Sequence, residues 1–223
     1  MRQVLWFAGG HFPLPEDRRQ FPEATLDWAR EHGIQTNWID EINWLTGGNR
    51  SGPAPRWPAR LSAFTWADIS LLDHALLHAA SHAILSGERN LVLLGEEEED
   101  DAHVLALCSE KAAASLSLAP VAALSARFSL ASDDLTAGLV SGLREMTLEQ
   151  TSGLLAACDD SGRMPVDLPG GWRWLEGETS GCAVGLCNRL VEALRAGASD
   201  TGLLVSLPAQ GPGMATVLER WQP

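Results

Sequence analysis

The chain has 223 residues and a mass of 24.0 kDa, of which 45% are hydrophobic and 20% charged. This composition is typical of a folded globular protein and excludes a disordered one. The chain has 16 basic and 29 acidic residues, which gives a formal net charge of −13. We therefore expect neither a nucleic-acid partner nor a membrane partner, because phosphates and anionic lipid surfaces attract basic faces.

The N-terminal segment and the cysteines indicate a reduced compartment. The apolar run at residues 4–8 is too short for a signal peptide and predicts a first strand. Four cysteines, Cys108, Cys158, Cys182 and Cys187, are scattered without a CxxC pair, which argues against a disulfide framework or a zinc knuckle. We therefore expect a cytoplasmic protein.

Apolar runs and helical spacing predict the elements in chain order. In the first half we expect strands at residues 4–8, 91–94 and 104–108, and helices at 21–33 and 68–87. In the second half we expect strands at 121–130, 203–207 and 214–219, and helices at 135–146, 148–158 and 182–196. Segments 68–94 and 182–207 share one order: a helix of small residues, a glycine, a polar gap and an apolar strand. This repetition predicts a duplicated α/β layout.

Several segments resemble the thiolase superfamily, which includes the ketoacyl synthases. Residues 83–95, A-I-L-S-G-E-R-N-L-V-L-L-G, are similar to the stretch after the family's nucleophile helix. Residues 101–113 are similar to its strand leading into S-E-x-A, and residues 211–219 resemble its closing glycine hairpin. The resemblance implies an α/β, thiolase-like duplicated mixed-sheet fold with central helices, layered αβαβα. It implies one domain, 1–223, built from pseudo-repeats 1–130 and 131–223.

The departures from the family pattern bear on function. The nucleophilic cysteine position falls on Ser70, the catalytic histidine position on Glu178, and the second cysteine position on Pro208. The Asn-Glu-Ala-Phe oxyanion motif is not found in residues 148–175. Where family members insert a loop domain that helps hold coenzyme A, residues 96–101 form only a run of six acids, which we expect to be a solvated loop. The Claisen reaction needs a thiolate, a base and an oxyanion hole together.

These departures predict a catalytically degenerate thiolase-like pseudoenzyme with a structural or regulatory role. We expect a homodimer or a heteromer with an active thiolase or ketosynthase, in analogy with the chain-length-factor subunits of ketosynthases. The resemblance leaves room for an acyl-thioester ligand, and we expect no cofactor.

Two alternatives remain open from the residues. The chain could be an acyltransferase or thioesterase that uses Ser70 or Glu178, with His74 as a base one turn away. It could also bind a metal through His74, His78 and His82, whose i, i+4, i+8 spacing forms one helical stripe. The plainer interpretations are that Ser70 caps a helix, that the histidines bond to backbone or a partner, and that Cys182 and Cys187 are packing residues.

Overall fold

A computed structural model of the chain describes residues 3–17, 20–45, 72–98, 100–130, 134–148, 151–159, 168, 170–175, 183–207 and 212–222. The chain divides into two compact units, Met1–Pro120 and Val121–Pro223. The division lies ten residues before the expected repeat boundary at 130, because the strand at 122–130 pairs within the second unit.

The first unit contains a mixed sheet. Its elements are β1 (Val4–Pro13), α1 (Phe21–Glu31), β2 (Glu41–Leu45), α2 (Leu72–Ser86), β3 (Leu91–Glu98), β4 (Asp101–Ser109) and α3 (Glu110–Leu116). The strand order is β2-β3-β4-β1, in which β2 and β3 run parallel and the other two pairings are antiparallel. The first five residues of β3 are all buried, as expected for a strand covered on both faces.

The second unit repeats this arrangement. Its elements are β5 (Ala122–Leu130), α4 (Leu135–Glu145), β6 (Gly153–Asp159), β7 (Trp172–Trp174), α5 (Ala183–Arg195), β8 (Thr201–Leu207) and β9 (Gly213–Arg220). The strand order is β5-β9-β8-β6-β7, with β6 parallel to both β7 and β8. In both units a helix joins two parallel strands, and an antiparallel hairpin then returns the chain to the unit's first strand.

The duplication extends to details of the backbone. Gly87 and Gly197 end α2 and α5 with φ of 83° and 77°, a left-handed conformation that glycine adopts without a steric penalty. The pairing of β1 with β4 shifts register between Trp6 and Ala8, and the pairing of β5 with β9 shifts between Leu124 and Ala126. The same irregularity therefore occurs at the equivalent place in each unit.

Most of the expected elements are present with bounds within a few residues, but the helix predicted at 148–158 is wrong. This segment contains the strand β6, which lies between two parallel partners, and Leu154 to Ala157 are all buried. A short apolar run of this kind fits a buried strand and a buried helix equally well, and its pairing decides the outcome.

Candidate functional site

The expected site residues fall mostly outside the described part of the chain. Ser70, Glu178 and Pro208 lie outside it, as does Cys182, so their placement is not described. His74 lies in α2, two residues after that helix begins.

The direction of α2 identifies one end of the first unit's sheet as the candidate site. A helix that joins two parallel strands runs antiparallel to both of them. The link from α2 to β3 is short, since α2 ends at Ser86 and β3 begins at Leu91. The beginning of α2 therefore lies at the end of the sheet where β2 and β3 finish. Ligands of open α/β sheets bind preferentially at the carboxyl ends of parallel strands.

Most of the acidic run 96–101 belongs to this end of the sheet, since β3 ends at Glu98 and β4 begins at Asp101, so the expectation of a solvated loop is wrong for residues 96–98 and 101. Glu96, Glu97 and Glu98 are the last residues of β3, and they pair with His103, Ala102 and Asp101 of β4. The side chains of Glu96 to Glu98 are half-buried. The pattern of six acids concealed the end of this strand, because charged residues are usually depleted from sheets.

Two histidines lie on the same end of the sheet. His11 of β1 is the register partner of His103 of β4, and their ring centroids are 5.9 Å apart. His103 Nε2 lies 3.0 Å from a carboxylate oxygen of Glu98. Side chains two residues apart on one strand share a face. His11, His103, Glu96, Glu98 and Asp101 therefore belong to one face of three adjacent strands, and we call these five residues the hairpin cluster.

Burial lowers the pKa of His103 below its ordinary value, and the positive charge that His11 can carry lowers it further. Glu98 and Asp101 act in the opposite direction, but the desolvation of the half-buried ring is larger. His103 is therefore a neutral imidazole at pH 7, with a carboxylate beside one ring nitrogen. Such a ring can accept a proton from a reacting group.

Two of the three described cysteines, Cys108 and Cys187, are not placed as nucleophiles. Cys108 is fully buried in β4, and burial raises the pKa of its thiol to about 12. Cys187 is buried in α5, and Cys158 is half-buried in β6. A thiolate nucleophile needs an electropositive, accessible environment such as a helix N-terminus, which neither Cys108 nor Cys187 has.

A separate cavity of about 600 Å³ lies in the second unit between β5 and α4. Its α4 side consists largely of small residues, including Gly138, Ser141 and Gly142. Gly142 is in direct contact with the ring of Phe128, because a Cβ atom there would lie 2.1 Å from that ring. Sequence patterns gave no sign of this cavity.

Two further observations concern membranes and metals. In the part of the chain that the structure describes, none of the helices combines the length and the apolarity needed to cross a bilayer. Within the same residues, no group of three or more His, Cys, Asp or Glu side chains is arranged to hold a metal ion.

Comparisons with known proteins identify the fold. No model of a protein family matches the chain, and no curated protein sequence matches it. Solved structures do match over its whole length. The human mitochondrial 3-ketoacyl-CoA thiolase in complex with CoA aligns with a TM-score of 0.73 and 10% identity, over 99% of this chain and 98% of that one.

Two further solved structures agree. The acetyl-CoA acetyltransferase of Bacillus anthracis aligns with a TM-score of 0.72 and 11% identity, over 99% of both chains. Another structure of the human mitochondrial 3-ketoacyl-CoA thiolase aligns with a TM-score of 0.70 and 11% identity, also over 99% of both. The expected α/β fold is confirmed: this chain has the thiolase-like fold.

Proposed function

We propose that this chain is a non-catalytic thiolase-like subunit with a structural or regulatory role. It works as a homodimer or together with an active thiolase or ketosynthase. The observation that carries the proposal is the β3–β4 pair, in which Glu98 and Asp101 are register partners and only two residues separate them in sequence, at the end of the sheet where α2 begins. In the family that the sequence resembles, the loop domain that helps hold coenzyme A is inserted between these two strands.

The charge of the hairpin supports a loss of cofactor binding at this end. Glu96, Glu97, Glu98, Asp100 and Asp101 place five carboxylates where the inserted domain would be. Coenzyme A carries phosphate groups, and like charges brought together at a binding surface are repelled. The thiols of Cys108 and Cys187 are buried, so neither is available as the nucleophile of a Claisen reaction.

The fold neighbours support one class of ligand. One of the similar structures is a thiolase in complex with CoA. We therefore expect the ligand to be an acyl thioester of coenzyme A. We expect the active partner subunit to bind the phosphate groups of the coenzyme A part.

A thiolysis assay tests the loss of activity. The purified chain is mixed with acetoacetyl-CoA and coenzyme A, with an active thiolase as the positive control. We expect no acetyl-CoA above the protein-free rate. Cleavage of acetoacetyl-CoA by the purified chain would show that the subunit is catalytic and would overturn the proposal.

Native mass spectrometry of the protein isolated from its own host tests the assembly. A complex with a full-length thiolase or ketosynthase, or a dimer of this chain, is the expected result. A chain that is monomeric at micromolar concentration and isolated without either partner would contradict the proposed role.

A second candidate function is acyl transfer or hydrolysis by Ser70, favoured by the His103–Glu98 pair. Ser70 precedes the first residue of α2 by two positions, and the hairpin cluster lies at the end of the sheet where α2 begins. A serine nucleophile needs a base, and a neutral imidazole beside a carboxylate is one. Any thioesterase activity found would be lost in both Ser70→Ala and His103→Gln, whereas unchanged rates in either variant would exclude this mechanism.

A further inference from the structure

We draw no further inference here: the strongest candidate, the cavity between β5 and α4 in the second unit, is formed by three consecutive residues of β5 and largely by small residues of α4 such as Gly138 and Ser141, and nothing in the structure shows what would occupy it.

Discussion

His103 couples the folding of the hairpin to pH. Burial lowers the pKa of His103 below its ordinary value of 6.5, so the unfolded chain takes up a proton before the folded one does. The stability contributed by the neutral ring is therefore complete above pH 6.5 and is lost as the pH falls through 6.5 toward the folded-state pKa. The titratable groups on the same face of the sheet are His11, Glu96, Glu98 and Asp101.

We expect the free energy of unfolding to fall more between about pH 7.5 and about pH 5.5 in the wild type than in His103→Gln. Glutamine retains a hydrogen-bond donor for Glu98 but does not titrate. Urea denaturation at both pH values measures the difference. An equal or larger fall in the variant would show that other groups control the pH dependence.

Gly142 is a position where a single methyl group has a large effect. Its ideal Cβ would lie 2.1 Å from the ring of Phe128, and that ring belongs to the core of the second unit. Gly142→Ala should cost about 1–3 kcal/mol of stability, although alanine is the better helix former, because overpacking forces the ring to move.

Two further variants check this reason. Gly170→Ala adds a methyl group with nothing within 4 Å and should be nearly neutral. Combining Gly142→Ala with Phe128→Leu should recover part of the loss, which a double-mutant cycle of thermal denaturation measures. Strict additivity of the two changes would show that the contact is not the cause.

The β3–β4 hairpin contains a like-charge pair at its tip. Glu98 and Asp101 are direct register partners on antiparallel strands, and like charges in this position destabilise a sheet. Asp101→Lys should therefore stabilise the protein by roughly 0.2–1 kcal/mol. Asp100→Lys makes the same change of charge in the turn next to it and should have a smaller effect. If both variants give the same gain, the total charge and not the cross-strand pair is responsible.

The elements that the sequence predicted well are those whose signal is local. Gly87 and Gly197 marked the ends of α2 and α5, and both adopt the left-handed conformation that a helix terminus favours. The apolar run at 91–94, which begins β3, predicted its strand equally clearly. The end of β3, at Glu96–Glu98, and the whole of β6, at 153–159, were not predicted. Both are strands because they pair with other strands, which the local sequence pattern does not show.

The candidate site was predicted less well than the fold. Spacing alone placed His78 and His82 on one side of α2, and the structure shows both exposed. The hairpin cluster could not be predicted, because His11 and His103 are 92 residues apart in sequence (103 − 11) and meet only through the pairing of β1 with β4. Cross-strand neighbours of this kind are fixed by register, which a single sequence does not specify.

At the scale of the whole molecule, the two units preserve one set of backbone contacts without preserving side chains. The amide of Ser109 donates to the carbonyl of Asn90 at 2.9 Å, and the amide of Arg220 donates to the carbonyl of Asp200 at 2.8 Å. Each bond joins the end of a unit's last strand to the residue before β3 or β8. Main-chain hydrogen bonds depend on the path of the backbone, so they persist where side chains have diverged.

The net charge of −13 predicts how the molecule responds to salt. The acids outnumber the bases by 13, and the described ion pairs, such as Arg89 with Glu41 at 2.9 Å, engage only part of them. Self-repulsion destabilises a compact state, and salt screens it over a Debye length of about 10 Å at 0.1 M. Raising NaCl from about 20 mM to about 300 mM should therefore raise the melting temperature, by about 2–4 °C for each kcal/mol of relieved repulsion. Choline chloride at the same ionic strength should have the same effect, because screening does not depend on the identity of the cation. A melting temperature that falls with both salts would mean that the attractive pairs outweigh the repulsion, and that the acidic excess is already balanced within the fold.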